Sequence, residues 1–333
     1  MSTSLDGILV QWGERLFYPS NRRTPAGSSV RGSSSLRQRA QVVRGHIAAT
    51  VMRRAPQVMV KVTGGGRGMA AIAAHFRYLS KGGRLEFTDD RDTSRQGKDA
   101  LQDLADQWRF GGERIPEVSH RREAYNIMLS MPHGTDPAMV AVAAREFARQ
   151  ELHNHRYMMV VHTHQANPHV HLSVRAAGKD GNRLNPRKAD LHRWREVFAE
   201  RLRGLGIEAE ASSQATRGAT RRSLRVWERQ HSAAHAPAGR GTNKTGEAIQ
   251  ATRVTALKAW AHIKQALDQS PEPDDRELAK AVSAYVLQTD FAKAVQQQRA
   301  ARQQAQVGGQ GSLPGRDSQT MKSQPNRGPD LTR

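Results

Sequence analysis

The stretch from Tyr157 to Val174, YMMVVHTHQANPHVHLSV, restricts this chain more than any other. Two short runs rich in apolar and β-branched residues flank Gln165-Ala166-Asn167-Pro168, a turn-forming group, and together they read as a β-hairpin. Side chains two apart on a strand share a face. His162 and His164 therefore share a face of the first strand, and His169 and His171 share a face of the second. If the faces coincide, three or four imidazoles converge on one point, and neutral imidazole is the commonest nitrogen ligand for divalent metals. A single histidine on a sheet is ordinarily a hydrogen-bonded, half-buried residue. Four within ten positions, at same-face spacing, point to a ligand set. With no cysteine in the chain a thiolate zinc site is impossible, and with no His-Glu-x-x-His a helical zinc-protease site is not indicated.

Charge narrows the partner. Fifty-two Lys and Arg against 31 Asp and Glu leave a formal charge of +21, which calls for a polyanion. Nucleic acid fits better than an acidic membrane, because no basic helix carries a strong apolar face. No run approaches the roughly 18 apolar residues of a membrane span, and the N-terminus shows no secretory pattern, so neither membrane insertion nor export is expected. Absence of cysteine fits a reducing compartment. A hydrophobic content of 37% is low for a wholly globular chain of 333 residues, so a compact centre with polar, disordered ends is expected.

Along the chain, residues 1–18 hold a short amphipathic helix and residues 19–55 are rich in Ser, Gly and Arg, so 1–55 read as a basic, largely disordered N-terminal arm. Strands are expected at 57–63, 84–88 and 125–132. Helices are expected over MAAIAAHFRYLS, over 98–109, from Asp136-Pro137 through Glu151, and over 188–205. The alternation ends in the histidine hairpin and implies an α/β (α+β) sandwich, a mostly antiparallel sheet flanked by helices, over 56–220. A helical basic extension follows over 221–304, with helices at 247–268 and 273–303 separated by Pro271-Glu272-Pro273. A disordered Gly/Gln/Ser/Pro tail covers 305–333.

A three-histidine metal with open positions can polarise a phosphoryl oxygen, and in a basic chain that points to phosphodiester chemistry. The nucleophile is then water or a side chain other than Cys. Of the five tyrosines, Tyr78 stands out. It ends a helix, precedes Ser80-Lys81-Gly82-Gly83-Arg84, and is flanked by Arg77, Lys81 and Arg84, which could hold phosphates. Tyr125 and Tyr157 begin strands, where an aromatic ordinarily packs.

The histidine stretch resembles the third motif of conjugative relaxases, the HUH-type endonucleases, in which a His precedes a His-x-His pair by seven and nine residues. Here these are His162, His169 and His171. GGG…HFRYLSKGGRLEF (64–87) is similar to the first motif of the branch that includes the T-DNA border endonuclease, where the matching tyrosine attacks DNA. MLSMPHGTDPAMVAVAAREFA (128–148) resembles its middle motif, and the likeness continues through 181–207 to Thr216-Arg217-Gly218, covering about 56–220. The chain departs from the family at His164, where an Asp is common; His164 could orient a ligand, act as a base or replace His162.

The resemblance implies a site- and strand-specific nickase. His162, His169 and His171 would hold Mg²⁺ or Mn²⁺, Tyr78 would form a 5′-phosphotyrosyl link and free a 3′-OH, and His164 would assist. Lys61, Arg67, Arg77, Lys81, Arg84, Arg175, Arg183 and Arg187 are the expected DNA contacts. It also implies single-stranded DNA at a transfer origin, relaxosome accessory proteins and a type IV secretion coupling protein as partners. The location implied is the bacterial cytoplasm, with passage into a recipient cell alongside the DNA. Three other readings are a rolling-circle replication initiator, a non-catalytic mobilisation protein of the same fold and a phosphohydrolase using water. The first is disfavoured by the lack of a Walker A motif.

Overall fold

The computed structural model describes residues 4–18, 35–163, 165–218, 247–293, 295–297 and 300. Six strands form one sheet: β1 (Met59–Gly64), β2 (Phe87–Asp89), β3 (Ser94–Arg95), β4 (Ala124–Ser130), β5 (His155–His162) and β6 (His169–Gly178). The spatial order is β1-β4-β6-β5-β2-β3, and every neighbouring pair is antiparallel. The expected antiparallel α/β sandwich is the architecture found, with β3 as an additional short edge strand.

Period-two alternation divides the sheet residues between two helical layers. Ile127, Leu129, Tyr157, Met159, Val170, Leu172 and Val174 face α5 (Pro137–Glu151) and α6 (Lys188–Gly204), where they meet Phe147, Trp194 and Phe198. Ala124, Met158 and Val160 face α3 (Met69–Leu79) and α4 (Lys98–Phe110), where they meet Ile72, Phe76, Leu79, Leu104 and Trp108. Helix starts follow local chemistry. Asp136 caps α5 by accepting the Ala138 N–H at 2.8 Å, with Pro137 in the first turn, where its missing N–H is harmless.

A second core lies outside the sheet. Helices α1 (Leu5–Phe17), α2 (Leu36–Val51), α7 (Glu247–Asp268) and α8 (Pro273–Gln288) bury Leu9, Phe17, Ile47, Trp260, Ile263 and Val282 together. The N-terminal segment is therefore not an arm over 5–17 and 36–51. Within 36–51, Ala40, Val43, Ile47 and Val51 recur at three- and four-residue spacing and are buried, while Arg37 and Arg39 are exposed. Ser35 and Gln38 close a capping box at its start. Arg44 joins the ends of the chain by bonding Asp6 at 3.0 Å and Asp275 at 2.8 Å. The part of the expected basic extension before 247 and the expected tail from 305 lie outside the described residues. Among the described residues no helix is long and apolar enough to cross a membrane.

Candidate active site

The hairpin register decides the histidine geometry. His162 pairs directly with His169, and Val160 pairs with His171. Directly opposed residues point to the same side, as do residues two apart, so His162, His169 and His171 share one face. Their ring centroids are 4.8–5.2 Å apart, and one ring nitrogen of each lies within 4.8 Å of the others. His164, expected beside them, lies outside the described residues.

Two carbonyls set the tautomers. His162 Nε2 lies 2.8 Å from the Leu79 carbonyl and must donate to it, so Nδ1 carries the lone pair. His169 Nδ1 donates to the Asn167 carbonyl at 2.9 Å, so Nε2 carries it. A ring whose second nitrogen is tied to a carbonyl is oriented as metal-binding histidines usually are. His171 lies in the same buried place, and burial, then the neighbouring His162, His169 and His75, pushes its pKa down to about 3. It is therefore neutral at ordinary pH, the form that ligates. The donor set fits a divalent cation.

The tether to Leu79 brings the second expected element to the first. Tyr78 is the residue before Leu79 at the end of α3, and it is 75% exposed. The chain then turns sharply. Ser80 Oγ donates to the Phe76 carbonyl at 2.8 Å and accepts the Gly83 N–H at 3.0 Å. Lys81, Gly82 and Gly83 all take positive φ. At Gly83 a side chain would meet the Gly97 backbone at 2.6 Å as well, so only glycine fits. The turn leaves Arg77, Lys81 and Arg84 exposed around Tyr78.

His75 was not singled out by sequence reasoning and belongs to this site. It lies one turn before Tyr78, and the two rings are stacked at 6.0 Å and 24°. Burial lowers its pKa, and its Nε2 is buried without a hydrogen-bond partner. The i, i+3 spacing to Tyr78 was the available signal.

The expected DNA contacts divide. Lys61 pairs with Met128, which pairs with His171, so Lys61 lies on the histidine face two strands away, exposed at the sheet edge. Arg67 is exposed beyond β1, and Arg187 is exposed at the start of α6, on the other layer. Arg175 is a correction. It is 3% exposed, and its guanidinium donates to the Gly111 and Glu113 carbonyls, so it anchors the loop after α4 and cannot reach a phosphate. Arg183 is likewise engaged internally, bonding Glu123 and the Arg122 carbonyl, each at 2.9 Å.

Residues 81–206 match the family model described as relaxase, MobA/VirD2-like, nuclease domain. A solved structure described as the molecular basis of vancomycin resistance transfer in Staphylococcus aureus aligns at 16% identity. It covers 48% of this chain and 99% of its own length, with a TM-score of 0.30. No curated protein matches. The family match spans β4, α5, the whole histidine hairpin and α6, and it begins three residues after Tyr78; over residues 81–206 this chain is similar to the nuclease domains of MobA/VirD2-like relaxases.

Proposed function

We propose that the chain nicks one strand of a transfer origin by tyrosine transesterification, with Tyr78 as the nucleophile. The observation that carries this reading is the junction at Leu79. Its carbonyl orients His162 of the metal-competent trio, and its neighbour in sequence is an exposed tyrosine ringed by Arg77, Lys81 and Arg84. The Tyr78 oxygen attacks the scissile phosphorus in line. One P–O bond forms to the tyrosine, the P–O3′ bond breaks, and the phenolic proton passes overall to the departing 3′-oxygen. The products are a 5′-phosphotyrosyl link and a free 3′-OH. One ester replaces another, so the 3′-OH can later reverse the step and rejoin the strand.

His162, His169 and His171 would hold Mg²⁺ or Mn²⁺, which when bound supplies Lewis-acid stabilisation of charge on the phosphoryl oxygens. His75 stacks on the Tyr78 ring and fixes its direction. Arg77, Lys81 and Arg84 stabilise the phosphate charge that grows during attack. The sheet face beyond the trio is not closed over: Asn126 and Met128 are half-buried, and Met59 and Lys61 are exposed. Such a surface can carry a single strand by phosphate contacts and stacking. Relaxosome proteins and a type IV secretion coupling protein are the partners this activity calls for.

The test is incubation of the full chain with Mn²⁺ and single-stranded oligonucleotides tiled across a candidate transfer origin. A denaturant-resistant protein–DNA adduct that maps to the Tyr78 peptide is the expected result. Cleavage without any adduct would assign attack to water and overturn the transesterification reading.

A further inference from the structure

A second set of metal-ligating groups lies away from the histidine hairpin, where the helical lobe meets the nuclease domain. His46 comes from α2, His192 and Glu196 from α6, and Glu210 from the segment after α6 that bridges to Gln57. One ligand atom from each of His46, Glu196 and Glu210 lies within 4.8 Å of the others. His46 Nδ1 is 3.1 Å from both Glu210 carboxylate oxygens, and His192 Nε2 is 3.9 Å from a Glu196 oxygen. Bonds of about 2.0–2.1 Å to a tetrahedral ion put neighbouring ligand atoms roughly 3.3 Å apart. His46, Glu196 and Glu210 stand within 4.8 Å of one another and His192 stands 3.9 Å from Glu196, so an ion would draw the four ligand atoms inward. His192 and Glu196 are four apart on one helix, the spacing that places two ligands on one face.

His192 bonds the Phe17 backbone through one nitrogen, while its Nε2 is buried without a hydrogen-bond partner, which is the tautomer arrangement of an oriented ligand. His46 Nε2 lies 3.1 Å from the Tyr18 hydroxyl, which could accept its proton and leave Nδ1 as a donor of electrons. Glu210 is 1% exposed, and the Glu196 side chain is 18% exposed. Two carboxylates so placed need cations. Arg203, whose charge both of them feel, is one. The remaining negative charge falls to a proton: burial, outweighed by Glu210, leaves His46 with a raised pKa, and burial lifts Glu196 to about 7. A dication would displace those protons, as metal binding commonly does.

We infer that His46, His192, Glu196 and Glu210 form a structural site for a tetrahedral divalent metal of the Zn²⁺ type, which fastens the helical lobe to the nuclease domain. Two nitrogens and two carboxylate oxygens suit Zn²⁺, and the absence of an open, phosphate-facing side separates this site from the histidine trio. It joins α2, near the start of the chain, to α6 and its C-terminal flank.

The test is zinc content and Co²⁺ absorption of the untagged full chain after dialysis. The His169→Ala/His171→Ala variant, which lacks the trio, should retain one equivalent of Zn²⁺. Adding Glu196→Gln to that double variant should abolish the last equivalent and the visible bands of tetrahedral Co²⁺. Zn²⁺ should raise the Tm of the double variant by roughly 5 °C and that of the triple variant not at all. Should Glu196→Gln fold poorly, His192→Asn replaces it, because Asn can keep a hydrogen bond to the Phe17 backbone while losing the ligand nitrogen. Retention of zinc regardless of Glu196 and His192, or no zinc in the double variant, would overturn the site. So would a Tm that responds to acid and not to zinc, since the cluster would then hold only protons.

Discussion

The two faces of the central sheet come from the same strands and serve opposite ends. Towards α5 and α6, Ile127, Leu129, Met159, Val170, Leu172 and Val174 are at most 2% exposed and form an unbroken apolar layer. Towards α3 and α4, the intervening residues include Asn126, Met128, Ser130, His162, His169, His171 and Ser173, and Lys61 continues the row at the edge. One residue separates a core position from a site position throughout. The closed face fixes the register, because a slip of one residue would put the histidines into the apolar layer. The open face can then keep polar groups whose exact placement the core has already settled. Chemistry sits where helical cover stops, and stability sits where it is complete.

The largest effect that can break this comparison is Tyr78→Phe. The substitution keeps the exposed ring and its stacking on His75 but removes the oxygen. Nicking should fall on the order of 10³-fold or more, and the covalent adduct should vanish on a denaturing gel, with Tm and DNA binding unchanged. An adduct that persists and maps to another tyrosine would move the site off the end of α3. Next is His171→Ala, alone or with His169→Ala. Cleavage should drop on the order of 10²- to 10³-fold through lost stabilisation of phosphoryl charge. The fold should survive, because neither ring belongs to an apolar core cluster. Full activity in either variant would remove the trio from the reaction.

Much of this site was legible before any coordinates, for reasons the strands make plain. The period of two and the turn at Gln165–Pro168 put His169 and His171 on one face of their strand and left open whether His162 shares it; the register, which pairs His162 with His169, joins the two faces. Asp136-Pro137 announced α5 because capping is local chemistry. The helical lobe was not legible as a unit. Its partners α1 and α2 come from one end of the chain and α7 and α8 from the other, and no local rule pairs them. The arginine-rich composition of 36–51 also hid the apolar stripe at Ala40, Val43, Ile47 and Val51. Arg175 was misread because charge suggests a ligand, whereas its carbonyl partners lie over 60 residues away in sequence. His75 was missed because its one signal, the i, i+3 spacing to Tyr78, is weak for a lone helical histidine until the fold shows the two rings stacked.

The closed face should respond in the opposite currency. Phe147 is fully buried against Trp194 and Phe198. Phe147→Ala should cost about 3–5 kcal/mol, lowering Tm by roughly 10 °C. At a temperature where the variant is still folded, its specific nicking activity should match wild type. A variant that kept its Tm but lost activity would mean that the α5/α6 layer is part of the site, and the division between faces would fail.

The smallest effect is the most discriminating, because it sets two cations of equal charge against each other. Lys61 is exposed on the histidine face, whereas Arg175 is buried and holds the Gly111 and Glu113 carbonyls. If net charge alone attracted DNA, Lys61→Ala and Arg175→Ala would weaken binding alike. If the open face carries the strand, they separate. Each phosphate contact on single-stranded DNA contributes about 0.7 to the slope of log K against log salt, so Lys61→Ala should lower that slope by about 0.7 at unchanged Tm. Arg175→Ala should leave the slope alone and cost about 1–3 kcal/mol of stability, because two carbonyls lose their donor. Binding titrations from 50 to 200 mM salt, paired with thermal melts, measure both quantities. Equal slopes for the two variants would show that the strand does not run along Lys61, and the groove would have to be sought on the α3 and α4 side of the trio.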